Sequence, residues 1–158
     1  MALEIERKFL VKIDHPLFEQ ALANARSPKV LLQGYVSSSE DATVRVRIVD
    51  GRGVLTIKGR HDGLACPEYE WPIDVVDATE ILNSMCSHRL KKERRVLPLS
   101  GGLVAEIDFF PDLDLWMVEV ELPHRNTPLD IPVWFGQEVT GQPEWSNAAI
   151  AQRLSTRT

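Results

Sequence analysis

Apolar and polar residues alternate with a period of two along much of this chain, and that alternation predicts strands. Ile5 lies between Glu4 and Glu6. Val44, Val46 and Ile48 alternate with Arg45 and Arg47, and Ile107 separates Glu106 from Asp108. Strands are predicted over 4–11, 30–36, 43–49, 53–58, 68–73, 90–96, 103–109 and 117–122. The punctuation between them is turn chemistry: Asp50-Gly51-Arg52-Gly53, the stretch 59–63, Ser100-Gly101-Gly102 and Pro111-Asp112. Helical spacing is confined to 16–25, 77–87 and 146–154, the last opening on a good capping residue, Ser146. The order of these elements predicts an α+β protein built on a large, mostly antiparallel sheet or barrel.

The polar side of the alternation is unusual. Glu4, Glu6 and Lys8 share one strand face, as do Arg45 and Arg47, Glu68 and Glu70, Glu106 and Asp108, and Glu119 and Glu121. A face turned to water normally mixes Ser, Thr, Gln, Lys and Glu. These positions are almost purely ionic, and like charges gather on the same strand, where they repel. Acidic pairs that hold cations and basic pairs that hold phosphate give the pattern a purpose. If the sheet closes, the apolar faces take helices outside and the ionic faces line the interior. Unpaired charges in a dry core are too costly, so that interior is expected to be a wet, ion-filled tunnel. Oxygen ligands favour hard cations such as Mg²⁺ or Mn²⁺.

Composition narrows the reading without redirecting it. The 158 residues suit one domain spanning 1–158, with 44% hydrophobic and 26% charged residues. No run approaches the roughly eighteen apolar residues of a membrane span, and the charged start is not that of a signal peptide, so no membrane association is expected. A net charge of −5 argues against nucleic acid as a partner. Cys66 and Cys86 form no CxxC motif and are expected to be reduced thiols, which fits a cytoplasmic location. His15, His61, His88 and His124 lack ligand spacing, and no P-loop, GxSxG or dinucleotide-binding glycine pattern occurs. By parity Trp71 shares the apolar face with Tyr69, and core packing is expected for Trp71 and for Trp116.

The opening Glu4-Ile5-Glu6-Arg7-Lys8 matches an ExExK signature. Further matches follow in order: Gln33-Gly34-Tyr35, Thr43-Val44-Arg45-Val46-Arg47, Leu55-Thr56-Ile57-Lys58-Gly59, Glu68-Tyr69-Glu70, Lys92-Glu93-Arg94, Glu106-Ile107-Asp108 and Val118-Glu119-Val120-Glu121. A tail of Trp134 to Thr140 with Asn147 completes them. Through these motifs the chain resembles the CYTH superfamily of triphosphate tunnel metalloenzymes, in its short bacterial form. The resemblance implies an eight-stranded antiparallel β-barrel with helices packed outside, and divalent-metal-dependent hydrolysis of a triphosphate-containing small molecule. It implies metal ligation by Glu4, Glu6, Glu119 and Glu121, with Glu70 and Asp108 flanking a second position. It gives phosphate binding to Lys8, Arg45, Arg47, Lys58 and Arg94, places Lys92 near the attacked phosphorus, and makes Tyr35 a tyrosine that supports hydrolysis of tripolyphosphate. The run from Lys91 to Arg95 leaves the inward face open by pattern alone; only the resemblance selects Lys92 and Arg94. It also allows a homodimer.

Inorganic tripolyphosphate, split to pyrophosphate and phosphate, is the leading substrate by this resemblance. Nucleoside or thiamine triphosphatase, class IV adenylyl cyclase, and a non-catalytic polyphosphate or nucleotide binder are the alternatives. Short members often carry Ser-Arg just before the ExE matched by Glu68 and Glu70. Here Ala65-Cys66-Pro67 stands there, and Arg60 is the neighbouring cation.

Overall fold

The computed structural model describes residues 2–156. Nine strands and three helices form in the order β1 (Leu3–Val11), α1 (Pro16–Asn24), β2 (Lys29–Ser38), β3 (Ala42–Val49), β4 (Arg52–Gly59), β5 (Ala65–Ile73), α2 (Val75–Ser84), β6 (His88–Pro98), β7 (Val104–Phe110), β8 (Leu115–Glu121), β9 (Phe135–Glu138) and α3 (Asn147–Ser155). Every strand pairing is antiparallel. The first eight strands close a barrel in the order β1-β5-β4-β3-β2-β6-β7-β8, with β8 returning to β1. β1 carries the seam. Its residues Glu6 to Leu10 pair with β8 along one edge, and its opposite edge is shared by β5 and then β9.

Local chemistry explains the corners. Asp50 and Gly51 both take left-handed φ, the requirement of the tight two-residue turn joining β3 to β4. Asp74 caps α2 by accepting from the Val76 N–H, so that helix starts two residues earlier than the spacing predicts. His15 caps α1 in the same way, its Nδ1 accepting from Leu17, and this is a structural role for one of the scattered histidines. β9 is a strand the sequence pattern does not announce.

The apolar strand faces turn outward and are covered. Ile5, Phe9, Ile107, Val118 and Val120 pack with Phe18 and Ala21 of α1 and with Trp134 and Phe135. Val46 packs with Ala78 and Leu82 of α2. Ile150 and Ala151 of α3 pack with Leu90, Phe110 and Met117, so α3 closes off one end of the barrel. Trp116 takes the packing role expected of it, edge-on to Phe18 and stacked on Phe109. Trp71 and Tyr69 do not. They stack on each other outside the barrel at 47% and 42% exposure, because α2 covers β3 and β4 and no element lies over β5 at that point. Both cysteines are free thiols, and no helix among the described residues is long and apolar enough to cross a membrane.

Candidate functional site

Glu4, Glu6, Lys8, Arg45, Lys58, Arg94, Asp108 and Glu119 share the barrel interior, while ionic residues of the opposite parity, such as Arg7 with Glu138, lie outside. Lys92 and Arg94 point inward and Lys91 is exposed, which resolves the one face that alternation left open. An open cavity of about 530 Å³ occupies one end of the tunnel. Glu4, Glu6, Lys8, Tyr35, Arg45 and Lys58 line it, with Arg60 and His61 at its rim and the segment 139–148 along one side. Arg47, Lys92, Arg94, Asp108 and Glu119 do not line this space and make up a filled half, while Glu70 and Glu121, which do not line it either, are exposed. The rim is tight where two turns meet. A Cβ on Gly141, whose φ is +70°, would overlap the carbonyl of Gly63 in the loop between β4 and β5.

The filled half is a network of ion pairs around Arg94. Its guanidinium donates to both oxygens of Asp108 at 2.7 and 2.8 Å, to Glu106 at 2.6 Å and to Glu119 at 3.2 Å. Lys92 is 0% exposed; its ammonium donates to Asp108 at 2.7 Å and to the Asn147 side-chain oxygen at 3.2 Å. Burial and the Arg94 charge bring Lys92 down to about 8, with Asp108 opposing them. Burial acts to raise Glu119, but Lys8, Lys92 and Arg94 together hold it well below the ordinary carboxylate range.

Two charges in the interior stay unbalanced. No described residue donates to the Glu6 carboxylate or pairs with it. Glu121 stands directly across from it on β8, an arrangement of like charges that destabilises adjacent strands. Burial first, then the Glu119 and Glu4 charges, push Glu6 up to about 7. Glu4, held at 2.6 Å by Lys58, and Glu121 are raised as well, each mainly by burial. The opposite case is Arg47. Its Nε donates to Gln33 at 3.1 Å, no carboxylate reaches it, and burial with the Arg45 and Arg94 charges lowers it to about 10. Among the described residues Lys8 and Lys58 oppose the Glu6 shift only from beyond ion-pair distance, and Glu119 does the same for Arg47.

Several neutral residues complete the site and were not singled out by charge. Gln33 and Thr56 are fully buried on the same faces as Tyr35 and Lys58. Gln33 accepts from Arg47 and donates to the Tyr35 hydroxyl at 3.0 Å, which leaves the Tyr35 O–H free to donate into the cavity. Thr56 accepts from Arg45 and donates to Glu70, both at 3.0 Å. Parity alone could have found both residues. Glu70 is half exposed at the far end, 3.7 Å from Arg45. Cys66 faces the tunnel opposite Glu4, and burial pushes its thiol up to about 11. Arg60 reaches the rim but is bound to Asp41 at 3.0 Å.

With the ionic tunnel in place, the comparison with known families is decisive: residues 2–132 match the family model of the CYTH domain. The chain belongs to the CYTH domain family. It is 34% identical to an inorganic triphosphatase of Acetivibrio thermocellus, over 96% of this chain and 95% of that protein. It is 33% identical to an inorganic triphosphatase of Nitrosomonas europaea, over 94% and 96% respectively. A crystal structure of an inorganic triphosphatase superposes with a TM-score of 0.64 at 29% identity, covering 96% of this chain and 95% of that one. A Hippeastrum protein, described as a putative adenylyl cyclase with a dominant triphosphatase activity, shares the fold at a TM-score of 0.56 and 16% identity. That match covers 78% of this chain and 80% of that one. The eight-stranded CYTH barrel expected from the motifs is the fold observed.

Proposed function

We propose that this chain hydrolyses inorganic triphosphate to pyrophosphate and phosphate. One observation carries the reading: Glu6 and Arg47, charges of opposite sign in one interior, each lack an ion pair among the described residues, and Glu121 beside Glu6 lacks one too. A linear polyanion accompanied by a divalent cation satisfies both at once. The inorganic substrate is favoured over a nucleotide by the cavity lining, where Tyr35 and the His61 imidazole are the aromatic rings among the described residues. A nucleoside base normally calls for an extended apolar or aromatic platform, and among the described residues no tryptophan or phenylalanine lines the cavity. The relatives named inorganic triphosphatases point the same way.

The residues present fit a divalent metal. We assign Glu4, Glu6, Glu119 and Glu121 to hold it, on the ground that Glu6 and Glu121 face each other without a cation between them. No three carboxylate, imidazole or thiol groups among the described residues converge on one point. Glu6 and Glu121, which carry no cation, would then be the direct ligands, with Glu4 and Glu119 beside them held by Lys58 and by Lys8 and Arg94. One or two carboxylates with water and phosphate oxygens is the shell Mg²⁺ commonly takes. When bound, the metal supplies charge neutralisation and a more acidic water. Asp108 already carries Lys92 and Arg94 on its oxygens, and we assign it to positioning those cations rather than to the metal. Glu70, held by Thr56 near Arg45, is likewise placed as a support for that guanidinium.

Lys8, Arg45, Arg47, Lys58 and Arg94 are proposed to hold the phosphate oxygens, where arginine forks match the geometry best. Water attacks the terminal phosphorus in line, the bridging P–O bond breaks, and pyrophosphate departs. Tyr35 donates to an oxygen of the attacked phosphoryl group. Lys92, which donates to Asn147 of the cavity wall, is assigned to receive the proton lost by the water, a role its depressed pKa permits. With Lys92 as acceptor, kcat rises as pH passes through about 8, and Lys92→Arg flattens that limb.

The test is phosphate release from inorganic triphosphate, ATP and thiamine triphosphate, each with Mg²⁺ and with Mn²⁺. Fastest release from inorganic triphosphate is expected. Tight binding without release would make the chain a polyphosphate binder, and cyclic AMP from ATP would make it a cyclase.

A further inference from the structure

Lys92 is buried and does not line the cavity, so a proton transfer to it needs something that fixes its ammonium relative to the open space. Two acceptors hold it. Asp108 takes it at 2.7 Å from the filled half, and the Asn147 side-chain oxygen takes it at 3.2 Å. Of these two, only Asn147 lines the cavity. Asn147 therefore touches both the buried amine and the space open to substrate.

The residue type is out of its usual place. Asparagine favours the capping position of a helix and is a poor helix former inside one. Here Ser146 already caps α3, its hydroxyl accepting the Ala149 N–H at 3.1 Å, and Asn147 follows as the first helical residue. Its side chain makes no bond to the backbone. Among the described residues its one hydrogen bond is the one from Lys92. The helix that carries it is anchored: Ile150 and Ala151 pack with Leu90 and Phe110, and Arg153 donates to the Glu144 carbonyl at 3.0 Å.

We propose that Asn147 is a positioning residue for the hydrolysis, its side-chain oxygen working with the Asp108 carboxylate to set the direction in which the Lys92 amine meets the cavity. The proposal rests on the triphosphatase reading above, with Lys92 as proton acceptor. An ammonium carries three N–H groups. In the neutral amine the two that remain stay on Asp108 and Asn147, and the nitrogen lone pair is confined to the third position. The proton of the attacking water ends on that lone pair, while the water oxygen bonds to phosphorus. Without Asn147 the amine is held by Asp108 alone and turns about its terminal bond. A misdirected acceptor costs rate rather than substrate affinity.

Steady-state phosphate release from inorganic triphosphate separates this role from packing. Asn147→Ala removes the acceptor and leaves a good helix former in its place. Its kcat is expected to fall about tenfold while KM stays within about twofold of the unaltered chain's. The deciding measurement is the same substitution made on Lys92→Ala. With no amine left to direct, Asn147→Ala is expected to change kcat there by less than about twofold. A further loss of the same size on that background overturns the proposal, because packing or a direct phosphate contact acts with or without Lys92. An unchanged kcat in Asn147→Ala and in Asn147→Leu, which leaves no room for a substitute water, overturns it as well. No phosphate release by the unaltered chain overturns the triphosphatase reading and this proposal with it. A crystal structure of the unaltered chain covers the case of a misfolded variant: the Asn147 oxygen is expected on the Lys92 ammonium, and an Asn147 turned away from it overturns the proposal.

Discussion

Glu6 titrates near neutrality in the metal-free protein because burial and the Glu119 and Glu4 carboxylates oppose its ionisation. An acid whose folded pKa lies above its unfolded value favours the folded state at low pH, and that contribution is lost as pH rises toward the folded value. The window runs from about 4.5 to about 7. In EDTA, the melting temperature of Glu6→Gln is expected to gain on that of the unaltered chain as pH goes from 5 to 7. Parallel melting curves across that range would remove Glu6 as the unbalanced charge. Lys92 offers a second residue-level test. Lys92→Ala is expected to lower kcat on inorganic triphosphate by about two orders of magnitude. Turnover near normal would exclude it from the chemistry. Both residues were legible in the sequence, Glu6 by alternation and Lys92 by motif. Their states were not, since a pKa depends on which charges the fold brings across the barrel.

Among the elements, the strands were easiest to anticipate, because a strand with one ionic and one apolar face writes its period into the chain. β9 was not visible. Phe135-Gly136-Gln137-Glu138 has no alternation of its own, and it becomes a strand because β1 has a free edge beyond β5. The exposed Tyr69 and Trp71 failed for a related reason. Parity gives the face a residue occupies, but whether a helix covers that face is decided by distant segments. Thr56 and Gln33 were readable by the same parity and were passed over because they carry no charge. The rim turn makes its own prediction. Gly141→Ala must accept both an unfavourable φ and overlap with Gly63, so a loss of about 1 kcal/mol or more is expected in denaturant melts. An unchanged midpoint would show that the turn yields easily.

At the scale of the whole molecule, the barrel is completed by pairings such as Glu6 with Glu121 and Lys8 with Glu119, between segments far apart in the chain. Hairpins such as β3–β4 need only a two-residue turn to form. Long-range closures form late, because the entropy of bringing the ends together is lost before the contacts reward it. Pulse-labelled hydrogen exchange during refolding is therefore expected to protect the β3–β4 amides before those joining β1 and β8. During synthesis the order is stranger still. β1 emerges well before β8, and until they meet, Ile5 and Phe9 have no settled place. A nascent chain of this design therefore holds β1 unpaired on one edge until β8 has emerged, and the wet pore takes shape only at that docking.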